Sequence, residues 1–177
     1  MRCSREHLIE NQEQIYQKLE EYLEQQDWRE ADYETAFIVY QWMVIENYDD
    51  FDDLFRDVSL EVIDEIDRLW MDYSEGKFGI KGQAKIYRDL GGTVNINGKV
   101  WELFSDRVGW QERGSWLTLK EIPYYATTQP DSIFPMLMYS RDGCDSDATI
   151  FMEGWGFLWM GFLCFAEVGR LFSRVKT

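Results

Sequence analysis

Apolar side chains recur at helical spacing in the first part of the chain. A first helix is predicted by a stripe that runs through Leu8, Ile15, Leu19, Tyr22 and Leu23. The sequence DWRE at Asp27–Glu30 indicates a capping box, because an acidic cap residue is followed three positions later by Glu. A second stripe then runs through Tyr33, Phe37, Tyr40 and Val44. Together these patterns predict an antiparallel helical hairpin over residues 5–47.

Further helical patterns lie on either side of a glycine-containing break. A third helix from Ser59 is predicted by Ile63, Ile66, Trp70 and Tyr73, and it ends at Gly76. The break holds Phe78 beside Gly79, and a fourth helix follows with Ile80, Ala84, Tyr87 and Leu90. We then predict a turn at Asn97-Gly98 and a short helix from Val100 that carries Trp101 and Phe104.

The rest of the chain is divided into short pieces by Gly114, Pro123, Pro130, Pro135 and Gly143. Long loops are expected there, and alternation of apolar and polar residues nowhere persists long enough to indicate a sheet. We therefore predict a mainly α, compact multi-helix single domain over residues 1–177. Its parts are the hairpin 5–47, a core motif region 59–117 and a loop-rich part 118–177.

The charge distribution argues against a nucleic-acid-binding protein. The net charge is −15, whereas nucleic-acid binders need a basic surface that displaces counterions from phosphates. Residues 1–75 hold 22 acidic and 6 basic side chains, so the acidity belongs to the first half. It indicates either a solvated helical surface or a docking face for a basic partner.

Several kinds of catalytic and metal chemistry lack the residues that they need. The three cysteines have no metal-site spacing and favour a reducing compartment, and the single histidine, His7, lies near an end of the chain. No glycine-rich phosphate motif is present, and the acidic run Asn47–Asp53 lacks the Gly and Glu of an EF-hand loop. We therefore do not expect a zinc site, Ser-His or Cys-His catalysis, or nucleotide chemistry.

Targeting and membrane signals are weak. The N-terminal residues resemble no leader sequence. The apolar run Gly154–Ala166 has 13 residues, fewer than the roughly 20 that a spanning helix needs. This run predicts either buried core or a surface that contacts a membrane from one side, and we expect a cytoplasmic protein.

One region mixes rings with positive charge. Between Phe78 and Trp116, aromatic and aliphatic residues alternate with Lys and Arg. Such a mixture suits a flat apolar ligand with anionic edges, because rings can stack on its faces and Arg can pair with its carboxylates. An ordinary core with cations at its rim has the same composition.

The motifs of this region resemble a known family. WREADYET at Trp28–Thr35 resembles the pattern W-x-E-A-D-x-E-T. The block Ile66–Tyr87 resembles I-D-x-L-W-x-x-Y-S-x-G-x-F-G-F-S-x-Q-x-x-I-Y/W, and FSDRVGW at Phe104–Trp110 resembles F-G-D-R-V-G-W. These are motifs of the tetrapyrrole-binding domain of the "genomes uncoupled four" family of chlorophyll biosynthesis, and EVGRLFSRVKT is similar to its closing helix.

The chain departs from the family pattern at several positions, including Val62 in place of an Asp and Ser105 in place of a Gly. QPDSIFP at Gln129–Pro135 keeps both prolines of the family's A-P-x-G-H-L-P loop but has lost its Gly and His, and Ile80 replaces a Phe. These changes leave the apolar character of the region intact. They indicate a divergent member, either one that still binds pigment or a paralogue that has become a protein-interaction module.

The resemblance implies an all-helical domain with a cupped apolar cleft, formed by short helices and long loops. Such a domain binds protoporphyrin IX or Mg-protoporphyrin IX and stimulates magnesium chelatase through its large subunit, in a cyanobacterial cytoplasm or a plastid stroma. The resemblance also implies a monomer without catalytic activity. We expect no protein metal site, because the ligand supplies all four metal-binding nitrogens. The predicted porphyrin contacts are Phe78, Ile80, Tyr87, Phe104, Val108, Trp110, Trp116 and Phe134. The predicted partners of the propionates are Arg107, Arg113 and Arg141.

Overall fold

Helices make up most of the described chain. The computed structural model describes residues 12–45, 58–95, 97–117, 121–125, 130–136 and 168–176. The helices are α1 (Gln12–Glu24), α2 (Trp28–Ile45), α3 (Leu60–Tyr73), α4 (Ile80–Asp89), α5 (Gly98–Val108) and α6 (168–174). A hairpin of β1 (Gln111–Glu112) and β2 (Ser115–Trp116) follows α5. The prediction of a mainly α single domain is confirmed, whereas its outer limits stay a prediction.

Helices α1 and α2 form the predicted hairpin. The three residues between them leave room only for a tight reversal, and Lys18 of α1 pairs with Glu34 of α2 at 2.7 Å. Asp27 Oδ1 accepts a hydrogen bond from the Glu30 N–H at 3.3 Å, as expected of an acidic cap residue. Leu8 lies outside the described residues.

The face of α2 that packs against the core differs from the prediction. Tyr33 and Phe37 are only half-buried, whereas Ala31, Thr35 and Ile38 are completely buried. Thr35 tolerates this position because its hydroxyl donates to the Ala31 carbonyl at 2.8 Å and accepts from Trp70 Nε1 at 2.9 Å. The predicted stripe through Tyr33 and Phe37 is therefore wrong. Its remaining members, the side chains of Tyr40 and Val44, lie outside the described part.

Helices α3 and α4 follow the predicted patterns. Ser59 caps α3 by accepting the Glu61 N–H, and Ile63, Ile66 and Trp70 are buried. In α4 the buried positions include Ile80, Ala84 and Tyr87. Each helix turns its apolar stripe inward. In the break between them Ser74, Phe78 and Gly79 are buried, whereas Glu75 and Gly76 are exposed.

The break itself is stabilised by α3. Ser74 Oγ accepts the Phe78 N–H at 2.8 Å. The residue that caps α4, Gly79, has no side chain, and its place is taken by Asp67 of α3, whose Oδ1 accepts the Lys81 N–H at 2.8 Å. The N-terminus of helix α4 is therefore capped by a carboxylate from helix α3.

Helix α5 begins where a turn was predicted. Asn97 Oδ1 accepts the N–H groups of Lys99 at 3.0 Å and Val100 at 3.5 Å, and Gly98 is already helical. The prediction of a turn at Asn97-Gly98 is wrong because asparagine is favoured both in turns and at helix caps.

Asn97→Ala should lower the free energy of unfolding by about 1 kcal/mol, because two helix N–H groups lose their acceptor. Urea denaturation measures the loss. Asn95→Ala is the matched control, since Asn95 is exposed in the same connection and its backbone carbonyl, which the substitution keeps, accepts a hydrogen bond from Thr93. Equal unfolding midpoints for the two variants would argue against the cap.

A two-residue turn joins β1 and β2. Glu112 pairs with Ser115, and Arg113 and Gly114 between them have φ values of 55° and 79°. Two positive φ angles are typical of a type I′ turn, which fits the twist of antiparallel strands. Strands of two residues are too short to leave an alternating pattern in the sequence.

Helix α6 completes the core. Val168, Leu171, Phe172 and Val175 are buried. Arg88 Nη1 of α4 donates to the carbonyls of Phe172 at 2.9 Å and Val175 at 2.8 Å. The closing helix implied by the family resemblance is confirmed, and its C-terminal carbonyls are satisfied by a cation.

No helix in the described ranges combines the length and apolar character that crossing a bilayer requires. The run Gly154–Ala166, for which core burial or membrane contact was predicted, lies outside those ranges.

Candidate functional site

Most of the predicted porphyrin contacts belong to two aromatic clusters in the core. The Trp70 cluster consists of Trp28, Trp70, Phe78, Tyr124 and Phe134. The Trp110 cluster consists of Tyr87, Trp101, Phe104, Trp110 and Phe172. The predicted porphyrin contacts are divided between them.

Phe78 and Phe134 meet in the Trp70 cluster. Their ring centroids are 5.1 Å apart in an edge-to-face arrangement, and Phe78 makes a second edge contact with Trp28 at 5.2 Å. Tyr124 stacks on Phe134 at 5.1 Å with the ring planes 9° apart. The electrostatics of aromatic rings favour edge contacts and offset stacks, so this packing is specific as well as apolar.

Tyr87, Phe104 and Trp110 meet in the Trp110 cluster. Phe104 lies edge-on to Trp110 at 5.3 Å and to Tyr87 at 5.7 Å. Phe172 from α6 contacts both Tyr87 and Phe104. Helices α4, α5 and α6 therefore share one set of rings.

Residues 130–136, called the proline segment below, connect the two clusters. Its Ile133 carbonyl accepts a hydrogen bond from Trp110 Nε1 at 2.9 Å, and its Phe134 ring belongs to the Trp70 cluster. The backbone pairs with the break after α3, through Gly79 N to Phe134 O at 3.0 Å and Ser132 N to Lys77 O at 2.9 Å. The divergent loop of this chain is thus held directly against the Phe78–Gly79 break.

Gln83 of α4 anchors the proline segment from the side. Its buried Nε2 donates to the Ser132 carbonyl at 2.9 Å and the Pro135 carbonyl at 2.8 Å. Its Oε1 is buried without a hydrogen-bond partner among the described residues, so this amide can accept one more hydrogen bond. Sequence reasoning missed Gln83, although it occupies the Gln position of the family motif.

The glycines beside Phe78 and Trp110 were expected to let a flat ligand approach the rings. A Cβ on Gly79 would lie 2.8 Å from Asp67 Oδ1, and one on Gly109 would lie 2.5 Å from Pro130 Cγ. Both glycines have positive φ, at 156° and 82°. They make room for other parts of the chain, which occupy the space next to the backbone at both positions.

The predicted apolar contacts are almost all inside the core. Trp116 is half-buried, and the other seven have exposed fractions of 1% or less: Phe78, Ile80, Tyr87, Phe104, Val108, Trp110 and Phe134. In this conformation their described neighbours are one another and the other core side chains. A ligand that touches these seven needs the aromatic clusters to open.

The predicted cations lie at the surface. Arg107 is exposed in the last turn of α5, where a positive charge is favourable, and within the described part of the chain it forms no ion pair with Asp106. Arg113 is exposed at the hairpin turn, with Nε 3.7 Å from Glu112 Oε1. Arg141 lies outside the described residues.

Two buried carboxyl groups border the Trp70 cluster and were not predicted. Asp32 Oδ1 accepts the Met136 N–H at 2.7 Å and its Oδ2 accepts the Tyr124 hydroxyl at 3.2 Å. Burial raises the pKa of Asp32 to about 7, although both hydrogen bonds act in the opposite direction. Burial also raises the pKa of Asp67, opposed by its hydrogen bonds and by the charge of Lys81.

A metal site is not formed by the described part of the chain, which contains no group of three or more His, Cys, Asp or Glu side chains that could bind an ion. His7, the three cysteines and the acidic run Asn47–Asp53 lie outside it.

Comparison with known proteins identifies one family. The family model described as GUN4-like matches residues 9–146, more than three quarters of the chain. This range holds every predicted site residue, whereas α6 lies beyond it. No curated protein and no solved structure matches the chain.

Proposed function

Because the chain belongs to the GUN4-like family, we propose that it binds a porphyrin without catalysing a reaction and thereby regulates magnesium chelatase. Membership gives the protein a regulatory role linked to tetrapyrroles. The finer proposal is that the ligand is protoporphyrin IX or Mg-protoporphyrin IX and that the partner is the large chelatase subunit. We place this function in a cyanobacterial cytoplasm or a plastid stroma.

The observation that carries this proposal is the match over residues 9–146. It is supported by a core that retains the aromatic side chains of the family motifs, except at Ile80, and gathers several of them around the proline segment. A flat apolar ligand is suited to such rings, because it can replace ring–ring contacts with contacts to its own faces.

We propose that the ligand first meets the accessible members of the site. Trp116 is half-buried on β2, and Arg107 and Arg113 are exposed on either side of β1 in the sequence. An aromatic ring and two cations that lie close together in the sequence suit an apolar ligand with two carboxylates, since Arg pairs strongly with carboxylate groups. The buried rings, Phe78 and Trp110 among them, would join the contact as the clusters open. The metal of a magnesium porphyrin would keep its four ring nitrogens, so no protein ligand is required.

Titration with protoporphyrin IX and deuteroporphyrin tests this function through quenching of tryptophan fluorescence. We expect saturable quenching, about tenfold weaker binding by the double variant Arg107→Gln/Arg113→Gln, and several-fold weaker binding by Trp116→Ala. Arg68→Gln is the matched control, because Arg68 is an exposed cation on α3 whose partners Glu65 and Asp72 belong to its own helix. It should bind like the unaltered protein.

An absence of saturable quenching would rule out the porphyrin proposal. If the protein then still bound the large chelatase subunit, the alternative of a protein-interaction module that has lost pigment binding would be favoured. The acidic first half, with 22 acidic and 6 basic side chains over residues 1–75, supports that alternative. Phe78→Ala and Trp110→Ala require a check of folding by circular dichroism, because both rings are core residues.

A further inference from the structure

Asp32 links three parts of the chain that are distant in sequence. It lies in the first turns of α2, and its carboxyl accepts a hydrogen bond from Met136, the last residue of the proline segment. Its other oxygen accepts the hydroxyl of Tyr124, whose ring stacks on Phe134. A single carboxyl group therefore ties residues 121–125 and the proline segment to the helical hairpin.

This carboxyl group is buried without a compensating cation. Its exposed fraction is 6%, and it belongs to no ion pair within the described ranges. From α2, Arg29 lies over the ring of Tyr33, 5.7 Å from its centroid, and both act electrostatically on Tyr124. From residues 121–125 the facing groups are Tyr124 and Tyr125, and Tyr125 bonds to Asp27. The proline segment contributes only the Met136 N–H.

The two protonation states of Asp32 favour different arrangements. The neutral acid can accept the Met136 N–H and share a hydrogen with the Tyr124 hydroxyl without placing a charge in the core. The carboxylate accepts both bonds more strongly but loses its hydration, and a buried charge without a partner is costly. It can recover hydration only if Tyr124 and Met136 move away from α2.

We propose that Asp32 is a positioning residue for the porphyrin site: its protonated carboxyl holds residues 121–125 and the proline segment closed over the aromatic rings, and loss of the proton releases them. The inference rests on the proposed function, because it identifies the released state as the state that binds porphyrin. Phe134 and Phe78 provide the reason, because both rings are buried while these segments are closed.

Linkage gives the size of the effect. A carboxyl with a pKa of about 7 when closed and an ordinary value near 3.8 when released makes opening about tenfold more favourable at pH 8 than at pH 6. The sign follows from the raised pKa: the closed state binds the proton more tightly, so its stability falls as the pH rises through 7.

The first experiment needs no ligand. Hydrogen exchange by NMR gives the protection factor of the Met136 amide. A protection factor is a ratio to the intrinsic exchange rate, so the intrinsic pH dependence of exchange cancels. We expect protection to fall about tenfold from pH 6 to pH 8 in the unaltered protein and to stay constant in Asp32→Asn, which keeps an oxygen acceptor and cannot ionise. Asp131→Asn is the control, since Asp131 is an exposed carboxylate of the same segment, and it should behave like the unaltered protein.

Tyr124→Phe provides a second variant if Asp32→Asn does not fold. It removes one of the two hydrogen bonds that favour the carboxylate, so the fall in protection should move to higher pH. A Met136 protection factor that is equal at pH 6 and pH 8 in the unaltered protein would overturn the proposal.

The second experiment measures the affinity for protoporphyrin IX at both pH values. At each pH the affinity of the unaltered protein is divided by that of Asp32→Asn, so that titration of the porphyrin itself cancels. We expect this affinity ratio to be about tenfold higher at pH 8 than at pH 6. Falling Met136 protection with no porphyrin binding at any pH would refute the proposed function and leave the release by Asp32 established. Falling protection with an unchanged affinity ratio would refute the link between release and binding.

Discussion

Phe172→Ala should lower the free energy of unfolding by about 3–5 kcal/mol. Phe172 has no exposed surface, and its ring contacts Tyr87 and Phe104 at centroid distances of 5.7 and 5.5 Å. Truncation leaves a cavity between α4, α5 and α6 that the surrounding rings cannot fill without losing their own contacts. The effect is large although this residue lies outside the range of the family match.

Chemical denaturation followed by circular dichroism measures this loss. Ser173→Ala is the control, because the neighbouring side chain is exposed and bonds only to the Gly169 carbonyl of its own helix. We expect a change within about 0.5 kcal/mol there. A similarly small change for Phe172→Ala would mean that α6 does not complete the core.

Gly79→Ala should cost about 3 kcal/mol, for two reasons that add. At φ 156° and ψ 155° the backbone occupies a region that only glycine adopts readily, which costs a side chain about 1–3 kcal/mol. The new methyl group would also lie 2.8 Å from Asp67 Oδ1, the atom that caps α4. Moving that carboxylate would remove the cap and its pairing with Lys81.

Three glycines separate these causes. Gly98→Ala should be neutral or slightly stabilising, since this helical position has no strained φ and no atom within 4 Å. Gly91→Ala tests backbone strain alone, because φ is 89° and the space is open. We expect the loss of unfolding free energy to rise from Gly98 to Gly91 to Gly79. If Gly79→Ala cost no more than Gly91→Ala, the close contact with Asp67 would be without consequence.

The helices of the middle region were predictable because their burial follows their chemistry. In α3 and α4 most buried positions are apolar residues at helical spacing, with Asp67 and Gln83 as the polar exceptions. In α2 small and polar residues are buried beside Trp28, Ile38 and Val39, whereas the rings of Tyr33 and Phe37 remain only half-buried. Thr35 and Asp32 are stabilised by Trp70 and Met136, which lie 35 and 104 residues away. A local pattern of apolar and polar residues cannot indicate partners that are so distant in sequence.

The sequence predicted which aromatic residues are found in this region, whereas their role in a binding site stays a prediction. Phe78 belongs to the Trp70 cluster, and Phe104 and Trp110 belong to the Trp110 cluster. Their burial could not be predicted, because an apolar ligand surface and an apolar core have the same composition. Whether such rings form a ligand surface or a core depends on which other residues pack over them. Here the proline segment, in which this chain departs from its family, packs against the rings.

The contacts of α6 bear on how the protein is made. Arg88 bonds to Val175 across 87 residues, and Arg174 Nη2 bonds to the Val58 carbonyl across 116 residues. Neither contact can form until the last of these residues has been synthesised. A nascent chain that already contains α3, α4 and α5 therefore displays the rings of Tyr87 and Phe104 without their partner Phe172. During translation this exposed aromatic surface is where we expect chaperones to bind, and where a stalled chain would aggregate.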